Sequence, residues 1–145
     1  MQIHEAMTRE VRLVNPDQTI REAASLMSEC DAGSLPVGQE NRLVGVITDR
    51  DIAIRAVAQG KSPDTPVREI MSAEVLYCFE DEDAEHVARN MGDNQVRRLP
   101  VLNRAKQLVG IVSIGDLALN AKPDTVGEAV AEISKPGGSH SQTVH

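Results

Sequence analysis

The sequence predicts an α/β protein made of two copies of one strand-helix-strand-strand-helix unit. Three observations carry this. Residues 34–55, SLPVGQENRLVGVITDRDIAIR, have a near-copy at residues 98–120, RLPVLNRAKQLVGIVSIGDLALN. The opening Ile3-His-Glu-Ala-Met7-Thr8 recurs as Val67-Arg-Glu-Ile-Met71-Ser72, at an offset of 64. That offset also aligns Glu5 with Glu69, Asp17 with Asp81, Ala24 with Ala88 and Met27 with Met91. After the polar turn the offset becomes 65, because Lys106 or a neighbour is an extra residue. An insertion at a hairpin tip is what a repeat tolerates.

Each element has a local reason. Residues 12–14 read as a short strand, and Asn15-Pro16-Asp17 turns the chain. Thr19 and Glu22 have the spacing of a capping box for a helix ending near Cys30. Its apolar face is Ile20, Ala23, Ala24 and Met27, at helical spacing. The second copy offers Ala84, Val87, Ala88 and Met91, with Asp83 as N-cap. Residues 35–37 and 43–47 read as strands around a turn at Gly38-Gln-Glu-Asn41. The second of these strands is almost continuously apolar, which predicts burial on both faces. Residues 49–59 read as a helix stopped by Gly60. The expected boundaries are repeat 1 at 1–62, a linker at 63–66, repeat 2 at 67–122, a C-terminal helix at 123–134 and a loose tail at 135–145. Two small repeats gain by sharing one core, since a 60-residue unit alone buries only roughly 60% of its unfolded surface.

Composition excludes several classes. The 145 residues are 41% hydrophobic and 26% charged, with net charge −7 and a pI near 5.0. That balance argues against a nucleic-acid polymer or an anionic membrane as partner. The single Tyr and single Phe form no base-stacking platform. No apolar run is long enough to span a bilayer and the start lacks a signal-peptide pattern, so a cytoplasmic protein is expected. Cys30 and Cys78 lack metal-type spacing and read as reduced thiols. His4, His86, His140 and His145 have no ligand spacing, and the acidic run at residues 80–85 reads as a solvated helix start. No metal site is expected. No nucleophile–base pair is present, and no enzyme is expected.

The chemistry-bearing stretch is Gly45-Val46-Ile47-Thr48-Asp49-Arg50-Asp51, repeated as Gly110-Ile111-Val112-Ser113-Ile114-Gly115-Asp116. A strand ends and a helix begins at the hydroxyl residue. Thr-x-x-Asp is a capping-box pattern that satisfies orphan amides, and this is its bland reading. The same geometry suits a ligand. Free amides and the positive dipole end favour an anion, and a hydroxyl there can hold a phosphate oxygen. A carboxylate one turn on can accept hydrogen bonds from a ribose diol. The duplication of the motif, each time downstream of Leu-Pro-Val, favours the ligand.

On these residues the chain resembles a tandem pair of CBS domains, or Bateman module, over nearly all of residues 3–120. It is most similar to small free-standing bacterial pairs. The resemblance implies two β-α-β-β-α repeats packed about a pseudo-twofold axis through their sheets, with adenine nucleotides such as AMP or ATP bound in clefts between repeats. It implies ribose held by the motif Asp, phosphate by the motif hydroxyl, and the base by backbone of the first strand and the Leu-Pro-Val strand. That places Thr48, Asp51, Val11 and Leu35 in one cleft and Ser113, Asp116, Val75 and Leu99 in the other. Arg97 and Arg98 match a basic pair that reaches phosphates in related proteins. Arg50 lies inside the first motif where the second has Gly115. The cleft of Thr48, Arg50 and Asp51, completed by Arg97 or Arg98, is therefore the expected better site.

The expected function is a regulatory adenine-nucleotide sensor that modulates an unidentified partner protein, with no cofactor. The alternative is a ligand-free interaction or structural module, which Gly33-Ser34 in place of the Arg pair and Gly115 keep open. A homodimer is expected, because the family pairs through its helices; residues 49–59 and 83–94 are the expected surfaces.

Overall fold

The computed structural model describes residues 1–136. The chain is α/β and forms two compact units, which are not the two sequence repeats. One unit contains Arg12–Val75 with Lys106–Leu108. The other contains Met1–Val11, Leu76–Ala105 and the described residues from Val109 onward. Each unit thus holds the opening segment of the other repeat.

In the Arg12–Val75 unit, helix α1 (Ile20–Cys30) precedes strands β1 (Ser34–Gln39) and β2 (Arg42–Thr48). Thr19 caps α1 through its hydroxyl, which accepts the Glu22 N–H at 3.1 Å. The Glu22 carboxylate is engaged by the Gln18 side-chain amide at 2.9 Å. β1 and β2 are antiparallel, pairing Leu35 with Ile47 and Val37 with Gly45. The turn is tighter than expected. Both strands run up to Glu40 and Asn41, which sit at φ 54 and 63. Positive φ at both central residues is the two-residue turn whose twist matches a hairpin. The expected strand at residues 12–14 reduces to one parallel bridge, Val14 to Val37.

Helical structure continues from Thr48 to Gly60, but not as one α-helix. Helix α2 (Asp49–Asp51) passes into a π-helical segment (Ile52–Ala56) and a 3-10 turn (Val57–Gln59). Gly60 closes it at φ 75, as its sequence position predicts. The core of this unit is Val14, Ile20, Ala23, Met27, Leu35, Val37, Ile47 and Ala56, closed by Val67 and Ile70 from the second repeat's opening segment.

In the other unit, strands β3 (Cys78–Phe79), β4 (Arg98–Leu102) and β5 (Leu108–Ser113) form a sheet in the order β3-β4-β5, with β3 parallel to β4. Helices α3 (Ala84–Asn94), α4 (Ile114–Ala118) and α5 (Pro123–Ser134) complete it. Asp83 takes the N-cap position of α3 without a side-chain capping bond. The Met1 carbonyl accepts the Ala84 N–H there instead, at 2.8 Å. The longer turn before β5 carries Lys106 at φ 61, where the extra residue was placed. The core is Ile3, Cys78, Ala84, Val87, Ala88, Met91, Leu99, Val101, Val112, Leu117, Val126 and Ile133. Residues 137–145, most of the expected tail, lie outside the described residues.

Two burial expectations are corrected. β2 is not buried on both faces: Gly45 and Ile47 are buried, while Leu43, Val44 and Val46 are half-buried, and β5 repeats this with Gly110 and Val112 buried and Val109 and Ile111 half-buried. A sheet of two or three strands leaves its second face only partly covered. Ala24 is exposed although its equivalent Ala88 is fully buried. The difference is α5, which packs on α3 so closely that a Cβ on Gly92 would lie 3.0 Å from the Ala129 Cα.

Surface carboxylates add a pH dependence. Arg104 makes paired bonds to Asp81 at 2.8 and 2.9 Å and holds that carboxyl below its ordinary value. The Thr125 hydroxyl and the Lys122 N–H do the same for Glu85. A carboxyl depressed by folding contributes stability above its unfolded pKa and loses it as pH falls through the folded one. The melting temperature should therefore fall as pH drops below about 4, the ordinary carboxylate value. Asp81→Asn with Glu85→Gln should flatten that fall; an unchanged acid limb would remove these two groups as its cause.

Candidate functional site

The two strand-to-helix junctions have the same geometry. At the first, the Thr48 hydroxyl accepts the Asp51 N–H at 3.0 Å, and Asp51 Oδ2 accepts the Thr48 N–H at 2.9 Å. At the second, the Ser113 hydroxyl accepts the Asp116 N–H at 3.0 Å, and Asp116 Oδ2 accepts the Ser113 N–H at 2.9 Å. These are reciprocal capping boxes, so the bland reading is physically realised. All four residues are half-buried.

The box also fixes each carboxylate. Oδ2 is tied to backbone, so one rotamer is held and Oδ1 is directed without further ordering. Among the described residues, Oδ1 of Asp51 and of Asp116 accepts no hydrogen bond. The hydroxyl accepts from backbone and keeps its own proton to donate. Each junction therefore presents one fixed acceptor and one donor at a helix start.

The strand before each junction is held close to the opening segment of the other repeat. Val46 exchanges two backbone bonds with Ser72, at 2.9 and 3.0 Å. Ile111 does the same with Thr8, at 2.8 and 3.0 Å. A Cβ on Gly45 would lie 2.7 Å from Met71 Sδ, and one on Gly110 would lie 2.7 Å from Met7 Sδ. This explains the glycine in both copies of Leu-Val-Gly: it admits the methionine of the Met-Thr or Met-Ser pair.

The expected site residues distribute as follows. Leu35 is buried, pairs with Ile47 and shares a unit with Thr48, Arg50, Asp51 and Val75. Leu99 is buried and shares a unit with Ser113, Asp116, Arg97, Arg98 and Val11. The first-strand residues are thus exchanged: Val75 belongs to the compact unit of the Thr48 motif, and Val11 to that of the Ser113 motif. Arg50, Arg97 and Arg98 are exposed. The Arg97 carbonyl accepts the Ile114 N–H at 2.8 Å, which anchors Arg97 at the Ser113 junction. Its counterpart Gly33 accepts the Asp49 N–H at 2.9 Å.

Sequence reasoning missed Asp49. Its side chain lies beside Gly33, and Oδ1 accepts the Arg50 N–H at 2.8 Å. It puts a second carboxylate at the first junction, where the second copy has Ile114. The signal was visible as an acidic residue directly after the hydroxyl in one copy only.

Elsewhere the chemistry is quiet. Burial, with the Glu82 charge nearby, pushes the Cys78 thiol up to about 12, so it stays protonated and inert. Among the described residues no group of three or more His, Cys, Asp or Glu side chains is placed to hold a metal. No helix there is long and apolar enough to cross a membrane.

A duplicated strand-helix unit, with a capped hydroxyl-to-carboxylate junction in each copy, defines a tandem-repeat module. The chain belongs to the CBS-domain family, whose pattern matches residues 3–57 and 67–121. It is 43% identical over 133 residues to the CBS domain-containing protein YhcV of Bacillus subtilis, covering 91% of this chain and 94% of that one. It resembles the crystal structure of Hypoxic Response Protein I with two coordinated zinc ions at TM-score 0.76 and 34% identity, covering 84% of this chain and all of that one. It resembles the CBS domain pair of protein MJ0100 in complex with 5-methylthioadenosine and S-adenosyl-L-methionine at TM-score 0.72 and 30% identity, covering 82% and 94%. CBSX2 in complex with AMP gives TM-score 0.73 at 25% identity, covering 83% and 95%. Homologous modules thus bind adenosine-type ligands.

Proposed function

We propose that the protein is a cytoplasmic, homodimeric sensor of adenine nucleotides that modulates a partner protein. The observation that carries this reading is the duplicated junction with a backbone-fixed carboxylate. A ribose presents two neighbouring hydroxyls, and Asp51 or Asp116 offers a pre-oriented acceptor for them. The Thr48 or Ser113 hydroxyl and the guanidinium of Arg50, Arg97 or Arg98 supply partners for phosphate, in charge-assisted bonds stronger than neutral ones. Leu35 and Leu99, with Val11 and Val75, supply backbone and apolar surface for the base. AMP in CBSX2 and the adenosyl ligands of the MJ0100 pair support the ligand class. A regulatory response requires that the ligand bind two states of the module unequally.

A second reading has its own observation. The capping boxes are complete without a ligand, so Asp51 and Asp116 have a structural task already. In that reading the chain is a ligand-free interaction module.

Calorimetry with AMP, ADP, ATP, 5-methylthioadenosine and S-adenosylmethionine separates the two. Asp51→Ala is expected to weaken adenosine ligands by roughly 1.5–3 kcal/mol, the range for hydrogen bonds to charged groups. It should also lose about 1 kcal/mol of stability through the cap. A ligand lacking the ribose diol should lose little affinity. Affinity unchanged in Asp51→Ala but lost in Asp116→Ala would put the ligand at the Ser113 junction. Absence of binding by every adenosine ligand would leave the interaction module.

A further inference from the structure

We propose that Asp49 is a specificity-determining residue: it turns the Thr48 junction away from phosphate and toward adenosine compounds whose 5′ substituent is uncharged or cationic. The proposal rests on the nucleotide reading above and names the ligand class of one junction.

The repeat supplies the comparison. Each junction is tied by one backbone bond to the residue two positions before its Leu-Pro-Val run. The Asp49 N–H donates to the Gly33 carbonyl at 2.9 Å, and the Ile114 N–H donates to the Arg97 carbonyl at 2.8 Å. Gly33 therefore corresponds to Arg97, and Asp49 to Ile114, in structure as well as in sequence. The two positions differ together. In the Ser113 unit Arg97 carries a cation, and half-buried Ile114 packs against that unit's core. In the Thr48 unit Gly33 carries no side chain, and Asp49 is an exposed carboxylate.

Space links the two differences. Gly33 does not need to be glycine for its backbone, since among the described glycines only Gly60 has a positive φ. Asp49 fills the place of the missing side chain: a Cβ on Gly33 would lie 3.1 Å from Asp49 Oδ2 and 3.6 Å from Oδ1. The carboxylate thus lies against the spot where, at the equivalent position of the other unit, the Arg97 side chain begins. Oδ1 also accepts the Arg50 N–H at 2.8 Å, which holds the carboxylate in place and commits that N–H.

The consequence is electrostatic. An anion on the Thr48 hydroxyl would sit one residue from this charge. Consecutive Cα atoms are about 3.8 Å apart, well inside the Debye length of about 8 Å at physiological ionic strength. A phosphate there meets like charge from Asp49 and from Asp51. Arg50 offsets part of this, but from an exposed side chain that must first be ordered, whereas Asp49 is already fixed. A 5′ thioether carries no charge and is not repelled, and a sulfonium is attracted. The Ser113 junction has Arg97 and Ile114 at the same two places and favours phosphate. For phosphate the order of the two junctions is then the reverse of that expected from Arg50.

Calorimetry on the full chain with 5-methylthioadenosine, AMP and S-adenosylmethionine tests this, because the three share an adenosine and differ in charge. Asp116→Ala isolates the Thr48 junction, where 5-methylthioadenosine should bind more tightly than AMP. Adding Asp49→Asn, which keeps an oxygen for the Arg50 N–H, should tighten AMP by about threefold to tenfold, leave 5-methylthioadenosine within about twofold and weaken S-adenosylmethionine. In the converse Asp51→Ala background, Ile114→Asp should weaken AMP at the Ser113 junction. A purely structural role would move all three ligands together. A ratio of AMP to 5-methylthioadenosine affinity unmoved by Asp49→Asn would overturn the role of Asp49 and leave the nucleotide reading standing. Binding confined to the Ser113 junction would overturn the ligand class assigned to the Thr48 junction. Failure of all three compounds to bind the wild-type chain would overturn the nucleotide reading and this proposal with it.

Discussion

A fragment ending at residue 62 is expected not to fold by itself, although it contains the first repeat's helix, hairpin and Asp51 motif. Its core lacks Val67 and Ile70, both fully buried. Full burial of such side chains contributes about 1.5–3 kcal/mol each, so their loss removes about 3–6 kcal/mol. The fragment also loses the Ser72 backbone beside Val46 and the Val67 N–H bond to the Gln18 carbonyl at 2.8 Å. At its other end Ile3, fully buried among second-repeat residues, is left without a core. Total domain stabilities are about 5–15 kcal/mol, with small units at the low end. Circular dichroism and amide exchange of the fragment should show no protected core. Extension to residue 75 with residues 1–11 deleted should recover protection. A folded 1–62 fragment would show that the opening segments are dispensable.

Gly45→Val and Gly110→Val are expected to destabilise by about 3 kcal/mol each. A Cβ at either position would lie 2.7 Å from a methionine sulfur and 2.9 Å from a backbone oxygen, of Ser72 or Thr8. The methionine side chain can move. The carbonyl cannot retreat without losing the paired bonds to Val46 or Ile111. Chemical denaturation should report the cost as a shifted midpoint, and Met71→Ala combined with Gly45→Val should recover only part of it. Full recovery would place the strain on the side chain alone. The prediction bears on function as well, because these glycines lie three residues before Thr48 and Ser113.

Much of this was legible before any coordinates. The offset of 64 located both repeats' elements, and helical spacing marked Ile20, Ala23 and Met27, with Ala84, Val87, Ala88 and Met91, as buried. Thr48-x-x-Asp51 and Ser113-x-x-Asp116 announced helix starts by local chemistry, and both form reciprocal boxes. These features depend on residues within one or two turns of each other, so periodicity and spacing carry them.

Other features depend on residues distant in sequence. The similar opening segments give no sign that each completes the core of the other repeat's hairpin. That outcome follows from backbone pairing across long loops, Val46 with Ser72 and Ile111 with Thr8. Ala24 and Ala88 occupy the same position in the repeat, yet only Ala88 is buried, because α5 exists once and lies on α3. The helix after Thr48 changes to π and 3-10 winding although its apolar pattern reads as plain helix. By itself the sequence determined the repeat, the element types and the two capped junctions, since these are set by local hydrogen bonding and side-chain periodicity. Only the tertiary structure decided which segments share a core and which helix face remains open, since that is set by packing between residues far apart in the chain.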